Sequence, residues 1–181
     1  MFKWLIRRRI AAFERQYGYD AGYMHEMLDV DPRAVMALGK MQAIGGYRRD
    51  IPVAPWFAAL LTAAIDGDCG PCTQLGVSKA EAAGVDPGLI RKVVVGDLAA
   101  LPDDVALTVR FARAVLARDV EADALRERIH ERWGPAAVIS LAYGMAAAQF
   151  YPMVKFGLGH ASACVRLRVG GADMPVLREA A

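Results

Sequence analysis

The sequence predicts an all-α chain of about eight or nine helices and no sheet. Three observations lead there. Alanine, the residue with the highest helix propensity, occurs 33 times in 181 residues, while Thr and Ser occur three times each. Apolar residues recur at three- and four-residue spacing along most of the chain. Finally, Asp31-Pro32 and Asp86-Pro87 each read as an N-cap followed by proline in the first helical turn.

Taken in order, residues from about Phe2 to Tyr17 form a basic amphipathic helix, with Leu5, Ile6, Ile10 and Phe13 on one face. That face packs on the core or on a partner subunit. The other reading is membrane-surface contact through Phe2, Trp4 and Arg7 to Arg9. Pro32 opens a helix through Val35, Met36 and Leu38 that ends near Gly45-Gly46. Ile51-Pro52-Val53-Ala54-Pro55 reads as a rigid connector, because each proline disfavours helix and biases the residue before it to extended geometry. Trp56, Leu60, Leu61, Ala64 and Ile65 trace the next helix, ended by Asp66-Gly67-Asp68.

Helices then run from Gly70-Pro71 to Ala83-Gly84 and from Pro87 to about Leu98, where the helix signals outvote the strand-like run Val93 to Val95. Asp103 and Asp104 start a helix that carries Val105, Thr108, Val109, Ala112, Val115 and Leu116 on one side. Asp119 to Trp133 is a charged, solvent-facing helix, broken by Gly134-Pro135. Ala136 to about Tyr151 is rich in small apolar residues, and Pro152 to Arg168 continues it after a kink. The division expected is a helical extension over residues 1–50 packed on a core over 51–169, with a loosely ordered tail over 170–181.

Composition excludes several classes. Apolar residues make up 55% and charged residues 23%, which excludes disorder. Lys and Arg number 22 against 20 Asp and Glu, too even a balance for nucleic acid as the main partner. The basic run follows a short apolar patch, the reverse of a secretory signal. Gly134 to Gly159 lacks acids and is long enough for a membrane span, but Pro135, Pro152, Lys155 and its glycines favour a buried central helix. Three cysteines are too few for a secreted disulfide scaffold, so the cytoplasm is expected.

Two of these cysteines form Cys69-Gly70-Pro71-Cys72 at a helix start. Residues i and i+3 share a helix face, so their sulfurs can close a small disulfide ring. The unpaired N–H groups of a helix N-terminus stabilise a thiolate there. Half of a zinc site is a second reading, although a structural site takes four ligands and Cys164 and the histidines are remote. A pair of inert core thiols is a third. The redox reading needs a proton carrier. Asp66, Asp68 and Gln74 are the local candidates, and His25, Tyr143, Lys155 and His160 the distal ones. His160 and Cys164 form an i, i+4 pair.

At Asp68-Cys69-Gly70-Pro71-Cys72-Thr73-Gln74-Leu75 the chain resembles the AhpD-like, or carboxymuconolactone decarboxylase-like, superfamily of all-helical oligomers. The resemblance runs from about Pro52 to Gly159, through Ala83-Gly84-Val85, the helix Val105 to Ala117 and the small-residue helix Ala136 to Gln149 before Phe150-Tyr151-Pro152. It implies a thiol-dependent peroxidase or disulfide oxidoreductase, with Cys72 attacking peroxide and Cys69 resolving it to a disulfide. Lactone decarboxylation is disfavoured, since those members lack the pair. The resemblance also implies a trimer or hexamer, a peroxide or disulfide substrate, a thiol electron donor and no cofactor or metal. The pattern departs from the family at two places. Gly76 stands where active members carry histidine, and no glutamate occurs between Glu26 and Glu81, where they carry one upstream of the pair. A dithiol sensor or exchanger without efficient peroxidase activity, or a non-catalytic binding scaffold, are the alternatives. Asp68, Gln74, Tyr143 and His160 are the supporting residues to be placed.

Overall fold

The computed structural model describes residues 2–160 and 167–174, and is all-α apart from one small hairpin. Nine α-helices appear among the described residues: α1 (Phe2–Tyr17), α2 (Gly22–Val30), α3 (Pro32–Gly45), α4 (Val53–Asp66), α5 (Gly70–Ala82), α6 (Pro87–Val95), α7 (Asp103–Ala117), α8 (Glu121–Trp133) and α9 (Pro135–Gly157). A 3-10 turn, Leu98–Ala100, joins α6 to α7.

The proline-based boundaries hold where proline occupies the first turn. Asp31 accepts a hydrogen bond from the Arg33 N–H and Asp86 from the Leu89 N–H, each capping the helix that its proline opens. The same logic corrects the connector expected over Ile51 to Pro55. Pro52 is the extended N-cap of α4, and Pro55 sits inside the first turn, where no intrahelical N–H bond is lost. Pro152 lies inside α9, which continues to Gly157 rather than to Arg168. The tail differs as well. Leu167–Val169 and Ala172–Met174 pair antiparallel, with Leu167 opposite Met174, and bury Leu167, Val169 and Met174 against the core. Alternation of apolar residues across Gly170-Gly171 supplies the strand and turn signals. Helix α2 is an addition to the sequence reading, which assigned nothing between Tyr17 and Asp31.

Helix α4 is the central element, packing on α5, α6, α7 and α9. One apolar cluster joins α4 to α5, α6, α7 and the hairpin, and a second joins α4 to α7, α8 and α9 around Trp56, Phe111 and Leu141. Buried polar atoms are paired across these seams. The Thr108 hydroxyl donates to the Pro55 carbonyl at 2.8 Å, and the Trp56 indole N–H donates to the Ser140 carbonyl at 3.1 Å. A third cluster, around Ile10, Tyr19, Tyr23, Leu28 and Leu38, docks α1, α2 and α3 against Leu75 of α5 and Phe150 and Val154 of α9.

The close approach of α3 to α9 depends on Gly45. A Cβ built there would lie 2.5 Å from the Cβ of Ala147, a methyl fixed to the backbone that cannot rotate away. Gly45→Ala therefore pushes the helices apart, and is expected to lower stability by about 1–3 kcal/mol in urea unfolding. A loss below about 0.5 kcal/mol would show that the contact is not tight in solution.

Candidate functional site

The site is built on the junction of α4 and α5. After α4 ends, Asp68 takes a left-handed conformation (φ 47°) in the short turn that leads into α5. Aspartate tolerates this region better than most residues. Cys69 then becomes the extended N-cap of α5, and its carbonyl accepts the first helical hydrogen bond, from the Thr73 N–H at 2.9 Å. Cys69 makes no side-chain cap. Its sulfur instead lies 2.7 Å from that of Cys72. Both are free cysteines, and their sulfurs are in direct contact, placed to close a disulfide on oxidation.

Three contacts hold this turn in place. The buried Thr73 hydroxyl lies 3.2 Å from the Ala64 carbonyl and 3.1 Å from that of Cys69, tying the end of α4 to the start of α5. The Gln149 amide of α9 donates to the Ala63 carbonyl at 2.6 Å and to the Asp66 carboxylate at 3.2 Å. Gly67 lies against Pro152, where a Cβ would come within 2.9 Å of the proline ring. Lys155, one turn beyond that proline, is 2% exposed, and its ammonium sits 5.1 Å above the Tyr19 ring and 5.4 Å above the Tyr23 ring.

The tyrosines come from the extension. The Tyr19 hydroxyl lies 4.0 Å from the Cys72 sulfur. Glu14 steadies the loop that carries it, accepting from the Ala21 N–H at 3.2 Å and contacting the His25 imidazole at 3.2 Å. Tyr23 is 1% exposed, and its hydroxyl has no hydrogen-bond partner among the described residues. Burial holds both phenols above their ordinary range, so they remain protonated donors.

Electrostatically the two thiols behave as one unit sharing a proton. The hydrogen bond from Cys72 favours the Cys69 thiolate most, with the Cys72 backbone and the Lys155 charge adding to it against burial, and brings Cys69 down to about 6. The same hydrogen bond and burial push the Cys72 thiol up, while Lys155 and Tyr19 oppose. The pair thus favours charge on Cys69 over charge on Cys72. Access runs the other way. Cys69 is fully buried, whereas Cys72 is half-buried and lines a cavity of about 610 Å³.

That cavity lies between α1, α2, α3, α4, α5 and α9. Gly76 lines it one turn beyond Cys72, where a Cβ would meet Leu61 at 3.1 Å. Trp56, Phe57, Leu60 and Leu61 form another part of its wall. The positions at which the sequence lacks histidine and glutamate are thus apolar cavity wall.

Of the supporting residues expected, Asp68 is adjacent to the thiols, and its charge raises Cys69. The other three are engaged elsewhere. Gln74 pins the hairpin through the Arg168 backbone, donating at 3.0 Å and accepting at 2.7 Å. Tyr143 is exposed and stacks edge-on against Tyr47. His160 contacts Glu26 at 2.5 Å, with its ring 6.4 Å from that of Tyr23. Cys164 lies outside the described residues. Sequence reasoning missed Tyr19 and Tyr23, and weighed Lys155 only as one of several remote candidates. Among the described residues no three His, Cys, Asp or Glu side chains group as a metal site. The chain matches no family model, no curated protein and no solved structure.

The depressed Cys69 thiol makes the stability of the reduced protein pH-dependent. Between about 6 and the ordinary thiol value of 9.0, the unfolded chain binds the proton that the folded site has released. The resulting stabilisation is full above the unfolded value and is lost as pH falls through about 6. The advantage of wild type over Cys69→Ser in urea unfolding should therefore widen from pH 6 to pH 9. A constant difference would mean that Cys69 carries no charge there.

Proposed function

We propose that the chain is a thiol-dependent peroxidase of the AhpD-like kind, in which Cys72 reduces a small-molecule hydroperoxide and Cys69 both relays the proton and resolves the product. The observation that carries the reading is the sulfur pair at 2.7 Å, with one sulfur buried beside Lys155 and the other on a cavity wall. Cys72 gives its proton to Cys69 as substrate arrives. The Cys72 thiolate attacks the terminal peroxide oxygen, the O–O bond breaks, and the departing alkoxide takes the proton back from Cys69 to leave as alcohol. Cys72 is now a sulfenic acid. The Cys69 thiolate attacks the Cys72 sulfur, the S–O bond breaks, and hydroxide leaves as water after protonation, with the Tyr19 hydroxyl the nearest donor. Two electrons and two protons from an external thiol donor reduce the disulfide, one proton restoring the thiol of the pair and the other the Tyr19 phenol, which accords with work in the cytoplasm.

Under this reading Cys69 replaces the absent histidine and glutamate as proton carrier. Exchange with a protein disulfide is less well suited, because Cys72 faces a cavity rather than a convex surface. A homo-oligomer, trimeric or hexameric, accords with the exposed Ile139, Tyr143, Met153 and Phe156 of α9, whose length and composition would also pass for a membrane span. Exposed Phe2 and Trp4 on α1 suit either a partner subunit or a membrane surface.

Kinetics of hydroperoxide consumption with a dithiol donor test the scheme. Cys72→Ser should lose activity by at least about a hundredfold. Cys69→Ala should accumulate a trappable sulfenic acid on Cys72, formed about a hundredfold more slowly than the first turnover of wild type, because proton transfer is lost with resolution. Sulfenic acid formation at the wild-type rate in Cys69→Ala would assign the relay elsewhere, and an active Cys72→Ser would end the peroxidase reading. Tyr19→Phe is expected to slow disulfide closure by about tenfold while leaving hydroperoxide binding unchanged, measured by single-turnover kinetics.

A further inference from the structure

We infer that the cavity beside Cys72 is a binding site for an amphipathic monocarboxylate, a fatty-acid-like chain whose anion rests on Lys79 and whose body passes the Cys72 sulfur. This deepens the peroxidase reading by naming the substrate class as a fatty-acyl hydroperoxide, and to that extent rests on it. The binding itself does not.

The size and lining come first. About 610 Å³ falls within the range of small-molecule sites, and its walls from six helices are overwhelmingly apolar. Methionines at 24, 36 and 41 offer flexible thioethers suited to a variable chain. Such a cavity alone selects only for hydrocarbon.

Charge supplies the head group. Two cations line the cavity, the exposed Arg9 of α1 and the half-buried Lys79 of α5, and no carboxylate line it with them. Neither cation is ion-paired among the described residues, although six arginine–carboxylate pairs form elsewhere. Burial disfavours the charge on Lys79, and a bound carboxylate would offset that cost.

Geometry links anchor and thiol. Cys72, Leu75, Gly76 and Lys79 fall at i, i+3, i+4 and i+7 on α5, so one helix face carries all four into the cavity. Seven residues of α-helix separate Cys72 from Lys79 by about 10 Å along the axis. A carboxylate at Lys79 thereby sets a mid-chain carbon, not the chain terminus, opposite the sulfur. Gly76 puts no side chain between them, and Leu61 packs against it as apolar wall. Beside the sulfur, the Tyr19 hydroxyl, 4.0 Å from Cys72 and in the cavity lining, supplies a donor for a mid-chain oxygen substituent.

The test measures binding of palmitate and of hexadecanol to the reduced full-length chain by isothermal titration calorimetry. Palmitate should bind about tenfold more tightly than the alcohol. Lys79→Met should reduce palmitate to the level of the alcohol while leaving the alcohol unchanged, and Lys79→Arg should restore the preference. Ala148→Phe, which fills the cavity from α9, should weaken both ligands. Equal binding of palmitate and hexadecanol to wild type, an unchanged palmitate affinity in Lys79→Met, or a self-associated chain that binds neither ligand would each overturn the inference. Cys69→Ser, a buried position outside the cavity lining, should bind palmitate as wild type does, whatever becomes of its turnover, which separates failure of this inference from failure of the peroxidase reading.

Discussion

The site depends on one junction, the turn between α4 and α5 packed against Pro152 of α9. Gly67 can lie on the Pro152 ring only because it has no side chain, and Asp68 turns the chain through a left-handed conformation. Thr73 and Gln149 bind the carbonyls at the end of α4 that the helix itself leaves open. These contacts make Cys69 an N-cap whose sulfur is not spent on capping, and so leave it for Cys72. They also bring Lys155, one turn past Pro152, to the site whose thiolate it stabilises.

A second consequence follows from where the polar groups are missing. A proton relay of histidine and glutamate would occupy space beside Cys72 and would have to be desolvated there. Here Gly76 and the residues Trp56 to Leu61 leave that space to an apolar cavity, and the proposed chemistry assigns proton handling to the thiol pair and to Tyr19. A buried thiolate needs compensation in a medium of low dielectric. The Cys72 thiol provides it by hydrogen bonding, and the Lys155 ammonium by charge. The aromatic faces of Tyr19 and Tyr23 hold that ammonium without neutralising it, which a carboxylate would do.

Most of the fold was legible because its signals are local. Caps at Asp31 and Asp86, apolar periodicity and the glycine breaks placed eight of the helices. The connector at Pro52 to Pro55 was misread because proline excludes helix only beyond the first turn, and sequence alone does not say which turn it occupies. The hairpin over 167–174 was missed because three-residue strands are short and follow a long helical run. Within the site, Cys69 and Cys72 were legible from their spacing. Tyr19 stands 53 residues before Cys72 and reaches it only through the docking of the extension, which no spacing rule encodes. Gln74 and His160 looked chemical from their neighbourhood in the sequence, and tertiary pairing with Arg168 and Glu26 engages them elsewhere.

The account rests on Cys72 being the reacting thiol and Cys69 its partner inside one chain. Site-resolved mass spectrometry after one equivalent of an organic hydroperoxide, with the remaining thiols alkylated in the native state, tests this most directly. An intramolecular Cys69–Cys72 disulfide is predicted after peroxide, while without peroxide the buried Cys69 and the protonated Cys72 resist alkylation in the native state. Thiols that stay reduced after peroxide and alkylate only once the protein is unfolded would contradict it, and would make the pair part of the core.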